Sequence, residues 1–407
     1  MSRASQYLVA AILSITGFGC GEDSQRTASS DAAVDSAGVD ILRISDVHTL
    51  DLPRFETTLV YSTAADLELA TVAGAVFLQD SSLVVADRQA HEISYIDRDG
   101  RVRARAGQEG EGPGEYDFIE RIGVGADGTV FVYDRSLRRF TFLDSRGEVT
   151  GVQRLERGSG SGAAVPLIRM ESGEILAALE TRPILPPGLQ RGPVFLVHGD
   201  ASGEIVDTLA EWAGKERQVS RDGTVWNPVA FGATAVFAGR GLYLLLGTTD
   251  SLDLTLYRGL DPVTRIRGGY TARTVTAEEK EEWTRRYLGM FPEEVQPNWR
   301  QRLSQSTVRE AYPAYGAISV DADGRIWIGD YPGIADQQRR WTVLEPDGSP
   351  VGFLSLPVLR PSWMEETVAV TSAPHELLDV AHGRIAVLRR GEFDEEFIEV
   401  YEVELGR

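Results

Sequence analysis

From about residue 75 to its end the chain alternates short apolar runs with tight polar turns, and the runs are rich in β-branched and aromatic residues. Residues 83–86 (LVVA), 130–133 (VFVY) and 326–328 (IWI) are examples, each near an Asp-Gly pair or a similar turn. Such runs predict strands joined by hairpins, because Gly accepts positive φ and Asp hydrogen-bonds its own backbone. The pattern also repeats. Residues 80–100 (DSSLVVADRQAHEISYIDRDG) align without a gap on residues 127–147 (DGTVFVYDRSLRRFTFLDSRG), 47 positions later. A third copy is split, with 323–330 matching the first half and 341–348 the second. Weaker copies begin at 172–177, 240–245 and 382–387, which makes six units. Six units of four short antiparallel strands predict an all-β, six-bladed β-propeller, since a closed ring removes the sheet edges that a row of hairpins leaves open.

Two stretches fall outside the repeat. Residues 56–61 (ETTLVY) precede unit one and are strand-like; they are predicted to pair with unit six and close the ring. Residues 276–310 form a small helical insertion between blades four and five. Thr276 followed by Glu278 and Glu279 reads as a helix N-cap, good helix formers continue over 280–290, and Pro292 ends the helix. A second helix is predicted over 297–309. The aromatics Trp283, Tyr287, Phe291 and Trp299 are expected to pack this insertion onto the ring.

The amino terminus has the form of an export signal over residues 1–19: Arg3, then an apolar run over 7–15, then small residues. The run is too short to span a bilayer, which takes roughly 20 apolar residues. The chain's single cysteine, Cys20, follows directly. This arrangement resembles a bacterial lipoprotein signal, in which the cysteine becomes the lipidated first residue. That family usually carries Leu three positions earlier, where this chain has Gly17. Residues 20–40 are small, polar and acidic and read as a flexible tether. Residues 41–407 make the propeller.

Between units one and two lies the run GQEGEGPGEY, residues 107–116. Together with the repeats it resembles the bacterial six-bladed β-propeller lipoproteins, related to NHL-repeat propellers, which carry a similar Gly-rich run followed by an aromatic. The likeness reaches from about residue 41 to the end and implies an envelope protein anchored to a membrane.

Composition narrows the chemistry. The net charge is −20 over 407 residues, with 41 basic against 61 acidic side chains, which argues against nucleic acid. One cysteine excludes an intrachain disulfide and a Cys-based zinc site. The Gly-rich run is no phosphate loop, because no Gly-Lys-Ser/Thr follows and the next segment is a strand. The five histidines have no metal-ligand spacing. Asn227 is the one plausible contributor to the Glu/Asn/Asp set that calcium-dependent lactonase propellers use. No cofactor or metal site is therefore expected.

Asp87-Arg88 and Asp134-Arg135 recur just after strands, and Asp330 is equivalent, with Tyr331 in place of Arg. They read either as a recurring turn or inter-blade ion pair, or as a polar ring of binding residues around one channel mouth. Two functions remain. One is a membrane-tethered, non-catalytic module binding a protein, peptide or glycan, with polar or cationic ligands favoured. The other is a metal-dependent hydrolase or lyase, lactonase-like, with its site at the central channel.

Overall fold

Two strands, β1 (Ala32–Val34) and β2 (Asp40–Ile44), precede β3 (Thr57–Ser62) in the computed structural model. Blade 1 is β4 (Val72–Phe77), β5 (Leu83–Asp87), β6 (Glu92–Ile96) and β7 (Val102–Ala106). Blade 2 is β8 (Ile119–Val124), β9 (Val130–Asp134), β10 (Arg139–Leu143) and β11 (Val149–Arg154). Blade 3 holds β12 (Ala163–Arg169), β13 (Ile175–Glu180), β14 (Gly188–Gly199), β15 (Ile205–Val219) and β16 (Trp226–Pro228). Blade 4 is β17 (Ala235–Arg240), β18 (Tyr243–Thr248), β19 (Leu252–Arg258) and β20 (Asp261–Gly268). Helices α1 (Ala277–Gly289) and α2 (Gln296–Leu303) come next. Blade 5 is β21 (Ala317–Val320), β22 (Ile326–Gly329), β23 (Gln338–Leu344) and β24 (Pro350–Pro357). Blade 6 is β25 (Leu377–Ala381), β26 (Arg384–Arg390) and β27 (Glu396–Val403), completed by β3. The structure describes residues 32–34, 39–64, 67–154, 163–181, 185–221, 223, 226–359 and 376–404; the export signal and Cys20 lie outside them.

The first strand of each blade lies at the axis, and the six inner strands touch in sequence around the ring. Second strands such as β5 (LVVAD) and β9 (VFVYD) are buried at every position, because a neighbouring blade covers each face. The outer strand β7 (VRARA) instead alternates half-buried and exposed positions. Six apolar clusters result, one at each blade-to-blade seam. Each fully buried Leu, Ile, Val or Phe contributes about 1.5–3 kcal/mol.

Ring closure follows the sequence expectation. Strand β3 pairs antiparallel with β27, Tyr61 opposite Val400 and Thr57 opposite Val403. Tyr61 then enters the seam between blades 6 and 1. There it lies so close to Gly100 that a Cβ on that glycine would meet the Tyr61 ring at 2.7 Å, and Gly100 also holds φ +95°.

Three features depart from the sequence reading. Strand β2 adds in parallel to the outer edge of blade 4, Ile41 opposite Arg265, and β1 pairs with β2. The end of the stretch read as tether, Ala32–Val34, is thus a strand covering the edge that β2 would otherwise leave open. Blade 3 gains a fifth strand. Helix α2 stops at Leu303, not at 309, because the chain turns back there to join blade 3: the Arg309 amide donates to the Ala230 carbonyl and Val308 bridges Ala230. Helix α1 matches its prediction, with Thr276 and Glu279 forming a reciprocal capping box.

Tyr61→Ala is expected to cost about 3 kcal/mol or more, as other aromatic-to-Ala core truncations do. The reading is a lower urea midpoint at unchanged slope. A variant melting like the wild type would show that stability does not depend on this seam.

Candidate functional site

The two faces of the ring are built differently. On the lower face lie the turns from first to second strand and from third to fourth. The third-to-fourth turns of blades 1 to 3 repeat one device. The first Asp of an Asp-x-x-Gly turn accepts two backbone N–H groups from its own loop. Asp97 takes those of Asp99 (3.0 Å) and Arg101 (2.9 Å), Asp144 those of Arg146 (2.8 Å) and Glu148 (2.9 Å), and Asp200 those of Ser202 (2.8 Å) and Glu204 (3.1 Å). Asp321 does the same with Asp323 and Arg325 in a first-to-second turn. The glycine takes a positive φ that a residue with a Cβ rarely adopts. This device made the repeat visible in the sequence.

The upper face carries the connections between blades and the loops from second to third strand. Asp87 and Asp134 both lie here, at the ends of β5 and β9, and both are buried. Asp87 accepts from the N–H groups of Ala70 (2.6 Å), Thr71 (3.2 Å), Gln89 (2.9 Å) and Ala90 (3.0 Å). Asp134 accepts from Asp117 (2.7 Å), Phe118 (2.9 Å) and Leu137 (2.8 Å). Each carboxylate thus pins the entrance of its blade's inner strand to its own loop, and its oxygens are occupied by the chain itself. Arg88 and Arg135, the residues that follow, remain partly exposed. Arg88 donates to the Ile119 carbonyl (2.7 Å) and stacks over Phe118, while Arg135 lies 3.7 Å from the Glu120 carboxylate. The structure therefore brings both arginines to the start of β8.

Asp330 sits apart, at the end of β22, and its partner was not foreseen. His48, between β2 and β3, places Nδ1 2.7 Å from Asp330 Oδ1 and Nε2 2.6 Å from the Ala314 carbonyl oxygen. Both contacts are hydrogen bonds only when both ring nitrogens carry protons. Burial alone would lower the His48 pKa, but the bond to Asp330, its charge and the Ala314 carbonyl raise it above the ordinary 6.5. Nearby Val47 is fully buried in the seam between blades 4 and 5. His48 and Val47 thus clasp the chain between β2 and β3 to the ring.

The Gly-rich run between blades 1 and 2 turns its carbonyls, not its amides, inward. Buried Arg139 donates to the carbonyls of Glu111 (2.5 Å), Gly112 (2.9 Å) and Glu115 (2.6 Å). The Glu115 carboxylate accepts the Gly112 N–H at 2.7 Å, and Tyr116 is fully buried below. A loop filled by a guanidinium has no cradle for phosphate.

Blades 4 and 5 are walled on this face by the insertion. Trp283, Tyr287, Phe291 and Trp299 stack on one another, with ring centroids 4.5–5.9 Å apart, and form chiefly the insertion's own small core. Trp283 alone among them extends to the cluster holding Phe231 and Tyr312. Arg309 forks onto buried Glu216, with Nε 2.9 Å from Oε2, and ties the insertion to blade 3.

Along the axis, the lower end is plugged. Arg240, at the end of β17, forms a buried ion pair with Asp379 of β25, and its Nη2 donates to the Phe77 carbonyl at 2.8 Å. Asp379 also accepts the Phe77 N–H at 2.7 Å. The Gly241 N–H reaches the Val124 carbonyl at 3.2 Å, which links blade 4 directly to blade 2. Above the plug, Arg121 and buried Glu120 stand on β8. Among the described residues no group of three or more His, Cys, Asp or Glu is placed to hold a metal ion, and no helix is long and apolar enough to cross a membrane.

No protein-family model and no curated protein matches this chain. Solved structures do. A presumed exported protein of Bacteroides fragilis aligns over 90% of this chain and 100% of its own at 12% identity, with a TM-score of 0.51. A DUF4221-family protein of Bacteroides vulgatus covers 88% and 100% at 11% identity, TM-score 0.45. Virginiamycin B lyase of Staphylococcus aureus covers 85% and 99% at 10% identity, TM-score 0.37. At such identities the likeness is one of fold alone: the chain is a six-bladed β-propeller.

Two outcomes are expected. Asp379→Ala strands the Arg240 charge and costs about 3–5 kcal/mol, while Arg240→Met with Asp379→Leu recovers most of that loss; chemical denaturation of the set decides. The second concerns His48. A raised folded-state pKa gives stability that is present in full below 6.5 and is lost as pH rises through the folded value. The melting-temperature gap between wild type and His48→Gln is therefore expected to be widest in mild acid and to narrow toward alkaline pH.

Proposed function

We propose that this protein is an exported propeller, held at a membrane by lipid on Cys20, that binds a protein, peptide or glycan through its upper face without catalysing a reaction. One observation carries the reading: the two faces are unequal. The lower face is built largely from minimal turns that satisfy themselves, whereas the upper face bears the Gly-rich loop, the two-helix insertion and the extended open end of the β14–β15 pair, where Gly188 lies opposite Val219. In a repeat fold such elaboration collects where partners bind. The upper carboxylates Asp87, Asp134 and Glu216 are already taken by backbone amides or arginine, which leaves them poorly placed as general bases. Kinship with the six-bladed lipoprotein propellers rests on the repeats and on residues 107–116.

The test has two arms. Cys20→Ser is expected to move the protein from the membrane fraction to the soluble one; a variant still partitioning into detergent would end the anchoring claim. Purified protein supplied with calcium or zinc is expected to turn over no member of a lactone and ester panel. Stoichiometric metal at the channel, with turnover lost on chelation, would overturn the module in favour of a metal-dependent hydrolase or lyase.

A further inference from the structure

Among the described residues the buried arginines have partners. Arg139 fills a nest of carbonyls, Arg240 pairs with Asp379, Arg339 lies 3.2 Å from Glu376, and Arg384 lies 3.0 Å from Glu402. Arg169, on the opposite rim, stacks on Phe142 and lies 3.3 Å from Asp127. Arg121 is different. It lies on the inner strand β8, opposite Tyr133, just past a bulge between Ile119 and Arg121. Its Nε is buried and has no hydrogen-bond partner.

Arg121 is half-buried, and desolvation pulls its pKa down to about 10 against the opposing charge of Glu120. Glu120 is the one carboxylate that bears on it, and Glu120 already faces Arg135 at 3.7 Å. The Asp134 oxygens are held by three backbone amides. Yet Arg121 keeps part of its surface. It stands on an inner strand, on the upper side of the Arg240–Asp379 plug. A half-buried cation whose buried Nε is unpaired costs stability unless something neutralises it.

We infer that Arg121 is an anion-binding residue of the central channel, and that the ligand of the upper face presents an oxyanion group to it. Carboxylate, sulfate and phosphate share the chemistry: each offers oxygens that a guanidinium fork reads in two parallel hydrogen bonds. Arg88 and Arg135, gathered at the start of the same strand, flank the approach. The ligand class is then set by local chemistry and runs opposite to the cationic preference that a net charge of −20 suggests. This inference rests on the binding reading of the same face.

The test uses the full chain in thermal melts at constant ionic strength, with sodium acetate, succinate, sulfate or phosphate replacing sodium chloride. Sulfate and phosphate stabilise most proteins by exclusion from the surface, so each shift is compared with that of Arg121→Met in the same salt. Wild type is expected to gain a saturable rise of at least about 2 °C over Arg121→Met in one anion class, as mass action requires. The carboxylate and tetrahedral arms tell which. Arg121→Met without added anion is expected to melt at or above wild type, and Arg121→Lys to retain part of the response. Equal shifts in wild type and Arg121→Met would mean a general salt effect only and would overturn the site. So would an Arg121→Met protein that melts well below wild type, since Arg121 would then be a structural residue. Turnover in the ester and lactone panel alongside an Arg121-dependent shift would remove the non-catalytic reading and leave the anion site standing.

Discussion

Every blade of this protein is apolar on both faces, so no blade can stand at the end of a row. That single constraint organises the molecule. Second strands buried at all positions, such as β5 and β9, need a neighbour on each side. Six radial sheets satisfy this only when the last seam is filled as completely as the others. The amino-terminal strand β3 fills it by completing the blade made from the carboxyl terminus, so the seam joins chain ends more than 300 residues apart, Tyr61 with Val400. Long-range pairing of this kind is entropically costly to form. At this seam Tyr61 packs so closely on Gly100 that a Cβ there would collide with its ring.

Acidic side chains outnumber basic ones by 61 to 41, yet many of those at the ring serve the backbone. On the lower face they satisfy turn amides. On the upper face Asp87 and Asp134 hold the entrance of an inner strand, and Glu216 and Glu396 hold the entrance of the following blade at Ala233 and Val72. Charge in the sequence is thus a poor guide to charge available for recognition.

The sequence was legible where the physics is local. An Asp that caps its own loop and a Gly that supplies positive φ must sit three residues apart, so each turn leaves the same short signature, and 47-residue self-similarity follows. The Thr276–Glu279 capping box lies within one turn of helix and could be read directly. The seams and the channel were not legible. His48 and Asp330 are 282 residues apart, and Arg240 and Asp379 are 139 apart. Neither pair has a spacing to recognise, because blade geometry and not chain proximity brings them together. Strand β2 was missed for a similar reason: a short run in parallel on an outer edge has no turn beside it to announce a partner. Recurrence drew attention to Asp87 and Asp134, and in blades 1 and 2 both carboxylates hold backbone amides. Arg121 has no counterpart in the repeat and so left no such mark.

The order in which the chain meets the ring also sets how the protein would bear a pull. A load applied before Asp40 does not reach the closing strand first. It meets β1 on β2, and then β2 itself, joined to β20 over five successive residue pairs. Val47, seated in the blade 4–5 seam, and the His48 clasp come next, and then Phe55, packed on Gly352 of blade 5. These attachments stand in series ahead of β3. Tension transmitted through the amino-terminal segment would therefore be spent on the outer edges of blades 4 and 5. The seam completed by β3 is mechanically insulated, and a protonated His48 would stiffen the insulation in acid.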